Sequence, residues 1–118
     1  MTLQECYAKL EGDYAAVSSR LPSEKFIQKY VLKFAEDKTM ELLEEAWQNG
    51  NFDEAFRAAH TIKGMCQNLS FARLEKSSSA LTESLRGGKS PKAEELLGQV
   101  REDYALTADT IKEYKAGL

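Results

Sequence analysis

Apolar residues recur at intervals of three and four along most of the chain. Ile27, Tyr30, Val31 and Phe34 keep this spacing, and Leu43, Ala46 and Trp47 resume it after Asp37-Lys38-Thr39. Phe52, Ala55, Ala59, Ile62, Cys66 and Leu69 make the next line. Leu74, Leu81 and Leu85 make another, and Leu97, Val100, Tyr104, Ala108 and Ile111 the last. That period belongs to helices with one buried face, and no alternating run bounded by turn residues points to a strand.

The breaks between the lines carry their own signals. The N-terminal part, about residues 3–20, reads as one or two short helices interrupted near Gly12-Asp13. Ser23 can cap the next helix, with Glu24 favourable in its first turn. The step at Asp37-Lys38-Thr39 is either a kink or a break. Gly50 suits the left-handed position after a helix end, and Asn51 suits the following N-cap, with Glu54 completing an approximate capping box. The next helix is predicted from about Phe52 to Leu69 and another from about Phe71 to Arg86. Gly87-Gly88 ends the latter, and Ser90-Pro91 starts the last helix, which runs to about Lys115. Short connections make successive helices antiparallel neighbours. The predicted fold is all-α: one domain over 1–118, an antiparallel four-helix bundle with one or two short N-terminal helices.

Composition narrows the function classes. A chain of 118 residues with 42% hydrophobic and 30% charged content is ordinary for a soluble globular domain. Its formal net charge of −3 argues against a broad electrostatic grip on nucleic acid. No apolar run approaches the roughly 20 residues that span a bilayer. The segment MTLQECYAKLEGDY lacks the basic and apolar blocks of a signal peptide, so a cytoplasmic protein without a membrane partner is expected. Cys6 and Cys66 are far apart and form no metal-ligand pattern with the single histidine, His60, so no metal site is expected and free thiols are the simpler reading.

His60 is therefore the residue to explain. At about 100° per residue it lies roughly 130° from the centre of the apolar face of its helix. Lys63, Gly64 and Gln67 follow at the third, fourth and seventh positions, and Phe56 precedes it by four, so all five share one stripe. A lone histidine is most often structural or solvated, a single lysine or glutamine solvated, and Phe56 has even odds of being a boundary core residue. Gly64 weighs against an incidental surface, because a mid-helix glycine costs about 1 kcal/mol relative to alanine. What it offers in return is access for a large partner over the turn after the imidazole.

Neutral imidazole is a competent nucleophile near neutral pH, its unperturbed pKa being about 6.5. Attack on phosphorus needs an exposed ring nitrogen, a route for an in-line donor and positive charge about the oxygens. The stripe offers all three: His60 as acceptor, Lys63 to steady a phosphoryl group, Gln67 as a further donor and Phe56 as an apolar anchor. There is no GxxxxGKS/T loop and no GxGxxG after a strand, so the chain is expected neither to hydrolyse ATP nor to phosphorylate itself. No serine or cysteine shares the stripe for a hydrolytic triad, and one histidine cannot make HExxH.

These residues resemble a known pattern. Ala58-Ala59-His60-Thr61-Ile62-Lys63-Gly64 is similar to the AHxLKG signature of histidine-containing phosphotransfer (HPt) domains. The likeness takes in the turn QNGNFDEAF before the histidine helix, Leu69, and the spacing of Leu74 and Leu81, and weakens toward both termini. H-x-x-K-G alone would fall by chance on roughly one histidine in a few hundred. The resemblance implies a phosphorelay carrier that takes a phosphoryl group from a receiver-domain aspartate and passes it to another, with receiver domains of response regulators and of hybrid histidine kinases as partners. It implies no cofactor of its own, Mg²⁺ belonging to the receiver, and a phosphocarrier rather than an enzyme. One departure is Ser70, where the family usually has glycine; Ser70 is offered instead as a cap for the following helix. Ser77-Ser78-Ser79 could lie near the site but read more simply as small packing residues. Two other readings stand beside a free-standing monomeric HPt protein: an interaction module whose histidine is never phosphorylated, and the phosphoacceptor part of a larger kinase of which this chain is a fragment.

Overall fold

The computed structural model describes residues 1–118. Seven helices follow one another: α1 (Leu3–Lys9), α2 (Tyr14–Arg20), α3 (Glu24–Glu36), α4 (Thr39–Gln48), α5 (Phe52–Leu69), α6 (Ala72–Leu85) and α7 (Ala93–Ala116), with no strand. Neighbours in sequence pack against each other from α4 to α7, and α3 closes the bundle against α7 and α5. At about 1.5 Å per residue, the 24 residues of α7 run along most of the 40 Å long axis. The architecture is the expected all-α four-helix bundle, with α3 and α4 together forming one of its four sides.

Local chemistry explains most boundaries. Ser23 accepts the Phe26 N–H at the start of α3. Asp37-Lys38-Thr39 is a true break: Asp37 is extended and its carboxylate takes the Thr39 N–H at 2.8 Å. Gly50 has φ +70°, and Asn51 caps α5 by accepting the Glu54 N–H at 3.2 Å. Only half of the expected capping box forms, because the Glu54 carboxylate turns to Arg57. The start of α7 differs from expectation. Ser90 N–H is held by the Ser84 carbonyl, and Ser90 and Pro91 stay in the turn, so the helix begins at Ala93.

A single cluster of 26 buried apolar residues fills the bundle, and Leu3, Cys6, Tyr7, Leu10 and Val17 of the N-terminal helices belong to it. Tyr30, expected in the stripe of α3, is instead exposed, and Phe52, Tyr104 and Ala108 are half-buried. On α7 the inward positions are shared with Asp103, Thr107 and Thr110. These polar groups are tolerable inside because each is bonded. Thr107 and Thr110 donate to carbonyls one turn earlier, and Asp103 accepts from Arg73 Nε at 2.7 Å and Gln99 at 3.0 Å. Arg73 also pairs with Glu11, tying the α1–α2 turn to α6 and α7. Gly12 in that turn has no room for a side chain: a Cβ would stand 2.8 Å from the Tyr7 ring and 3.0 Å from the Ser70 carbonyl.

Both cysteines are buried and free. Burial pushes the Cys66 thiol far up, and pushes that of Cys6 up to about 11, with Glu113 adding to the effect. The thiolate is the reactive form, so a thiol-specific disulfide reagent at pH 8 is expected to label neither cysteine in the native protein and both after denaturation. The same shift makes a stability prediction. The fold favours the neutral thiol, so its contribution is full below the unfolded value of about 8.5. It falls as pH rises from there toward the folded value.

Candidate functional site

Helix α5 carries the stripe. Asp53 and Glu54 lie in its first turn, where negative charge suits the helix dipole. Ala55, Ala58, Ala59, Ile62, Cys66 and Leu69 are buried on its inner side. His60 stands on the opposite side, exposed. Gln67 is exposed, while Lys63, Gly64 and Phe56 are half-buried at the edge. The Phe56 ring lies 6.1 Å from the imidazole, tilted by 38°. The five residues singled out from the sequence thus form one continuous ridge. Phe56 is an edge residue, between the core role and the exposed anchor.

Gly64 has no steric reason within the chain. A Cβ built there meets nothing within 4 Å. The helix therefore tolerates a residue that destabilises it by about 1 kcal/mol without needing it for its own packing.

Helix α6 brings residues that helical spacing on α5 alone does not reveal. Arg86, at its C-cap, sets its guanidinium 5.2 Å from the centre of the Phe56 ring. Arg86 also grips Glu83 through Nη2 at 3.0 Å and Nε at 3.1 Å. The Glu83 carboxyl is held below the ordinary glutamate range first by Arg86, with the nearby charges of Lys63 and His60 acting the same way. A signal for these two exists in the sequence. An antiparallel pair folded about residues 70–71 lays His60 opposite roughly residue 81, so charged residues just beyond it share the site's edge. Ser77 and Ser78 are buried and bonded to the Leu74 carbonyl, and so serve packing.

The far end of α5 is braced. Ser70 is its C-cap, in the left-handed region at φ 57°. It does not cap α6, which starts without a side-chain cap. The left-handed conformation is what makes glycine natural at this position; a residue with a Cβ is strained there by roughly 1–2 kcal/mol. Several bonds offset that strain. The Ser70 carbonyl accepts the Asp13 N–H at 2.7 Å, and Arg20 donates to the Ser70 hydroxyl and to the carbonyls of Gln67 and Asn68 at 2.9 and 3.0 Å. Tyr7 donates to the Leu69 carbonyl at 2.7 Å. Beside this end lies an apolar groove of about 480 Å³ lined by Leu21, Phe26, Tyr30, Phe34, Met65 and Leu69, with the exposed Phe26 and Tyr30 rings 5.0 Å apart at its rim.

Chemically, the ridge offers an accessible imidazole, an ammonium on the same helix, a guanidinium from the next, and an open turn of backbone. No helix is long and apolar enough to cross a membrane. A family model described as Hpt domain matches residues 32–110, from within α3 to within α7. No curated protein and no solved structure gives a match.

Proposed function

This chain belongs to the Hpt domain family, and on that premise we propose that His60 is its phosphoacceptor and that the protein shuttles phosphoryl groups between receiver-domain aspartates. Hpt domains are phosphocarrier modules rather than kinases, and they work with receiver domains of two-component systems. The observation that carries the reading for this chain is the exposure of its sole histidine on the outer face of α5. The step balances simply. A ring nitrogen of His60 attacks phosphorus with its lone pair, and the acyl-phosphate P–O bond breaks with its electron pair on the aspartate. The proton on the other ring nitrogen stays or passes to water. Lys63 neutralises the phosphoryl oxygens, Gln67 adds a donor, and Phe56 and Gly64 form the surface on which the receiver rests. Mg²⁺ enters with the receiver.

We read residues 1–118 as one domain, since the N-terminal helices share the bundle's core, and as a monomer, since that core is closed within one chain; a tight dimer in equilibrium sedimentation would contradict the latter. Buried free thiols fit the reducing cytoplasm. The function is tested by incubating the protein with phosphorylated receiver domains, of regulators and of hybrid kinases, and following acid-labile, alkali-stable phosphate. Rapid transfer from at least one is expected. Failure with every receiver in the source genome would favour an interaction module whose histidine is never phosphorylated.

Gly64→Ala separates folding from function. The extra methyl meets open space, so the variant should be more stable by about 1 kcal/mol in urea denaturation. Phosphotransfer from a receiver should nonetheless slow, because the methyl stands where the partner rests. Unchanged transfer would remove the partner-access role assigned to this glycine.

A further inference from the structure

The ion pair at the edge of the site has no structural task that its exposure would suggest. Glu83 and Arg86 are each 58% exposed and lie three residues apart at the end of α6. They pair with each other rather than with a charge on another helix, the link to α5 being the Arg86 guanidinium over the Phe56 ring. Such a pair is weak and opens easily. It is nevertheless bonded through two nitrogens, and its guanidinium lies against Phe56, whose ring neighbours the imidazole. Lys63 and His60 are close enough for their charges to be felt at Glu83. The edge of the His60 ridge thus carries two cations, Lys63 on α5 and Arg86 against Phe56, and one carboxylate that occupies the second.

We propose that Glu83 and Arg86 form a charge-exchange pair: when His60 is phosphorylated, Arg86 leaves Glu83 for the phosphoryl oxygens. This rests on His60 being the phosphoacceptor. A phosphoryl group carries close to two negative charges and three strong acceptors, and a planar guanidinium matches it in two-point geometry. Glu83, with one charge, competes from the other side for the same guanidinium. Glu83 therefore acts as a positioning residue. It holds Arg86 ready in the resting protein and opposes over-tight retention of the phosphoryl group, keeping the group transferable.

The test is a double-mutant cycle read at equilibrium. Wild type, Glu83→Gln, Arg86→Gln and the double variant are each equilibrated with a phosphorylated receiver domain, and the ratio of phosphohistidine to phosphoaspartate is measured by ³¹P NMR. Circular dichroism confirms that each variant is folded. Glu83→Gln is expected to raise the ratio about three- to tenfold and Arg86→Gln to lower it by a similar factor, as suits removal of one nearby screened charge. Arg86→Lys, which keeps the charge but loses the two-point geometry, should fall between the wild type and Arg86→Gln. The decisive feature is coupling: without Arg86, Glu83→Gln should change the ratio less than about twofold. An equal effect in both backgrounds would mean plain repulsion and overturn the exchange, as would a ratio that falls or stays level in Glu83→Gln. If wild type forms no phosphohistidine at all, both the exchange and the phosphoacceptor role fall. If wild type is phosphorylated and the cycle shows no coupling, only the exchange falls.

Discussion

His60→Gln is expected to abolish phosphoryl acceptance completely while leaving the fold untouched. Glutamine keeps a polar side chain of moderate length on an exposed helical position but has no ring nitrogen lone pair to attack phosphorus. Because His60 is exposed and outside the core, the unfolding free energy should change by no more than about 0.5 kcal/mol. The measurement is paired: phosphate transfer from a receiver, and urea denaturation followed by circular dichroism. The chain has one histidine, so acid-labile phosphate surviving in the variant would have to sit elsewhere, and the assignment of the acceptor would be lost.

Phe71→Ala should give the largest loss of stability, about 3–5 kcal/mol. That is a large share of the roughly 5–15 kcal/mol that holds a domain of this kind. Phe71 is fully buried just after the α5 turn. Its ring lies 5.4 Å from Tyr7 of α1 and 5.2 Å from Phe34 of α3, the latter edge-on. The variant would open a cavity where the N-terminal helices, α3 and the α5–α6 turn meet. Hydrogen exchange should accordingly quicken first in residues 1–21, whose hold on the turn also includes the bonds from Tyr7, Asp13 and Arg20. A loss below about 1 kcal/mol would show that the junction repacks freely and does not hold the N-terminal helices in place. Where the variant remains folded at low temperature, phosphoryl acceptance should persist, because His60 stands on the opposite face of α5.

Agreement between sequence and structure follows the strength of the local signal. The limits of α5 were legible because Asn51 caps it, Gly50 precedes it and Leu69 ends its apolar line. The angle that put His60 outside needed only the helical period. Tyr30 was misplaced because an apolar residue at the right spacing can still fall on the edge of the stripe. Asp103, Thr107 and Thr110 were missed for the converse reason: a polar residue enters a core when its neighbours satisfy it, and Arg73, which pairs with Asp103, is distant from it in sequence. Helix α7 starts later than expected because the chain makes a turn at Pro91 and Lys92, closed by the Ala93 N–H on the Ser90 carbonyl, before the helical bonds begin.

The ridge of His60, Lys63, Gly64 and Gln67, the helix that bears it and the bundle class were determined by sequence alone, because all of them rest on interactions within a few residues and on a period that local geometry imposes. The contact of Arg86 with Phe56 and its grip on Glu83, the left-handed turn at Ser70 and the brace from Arg20 were decided only by the tertiary structure. Those depend on which helices meet, at what register and at which depth, and register comes from the packing of whole faces against one another rather than from any residue's own preference.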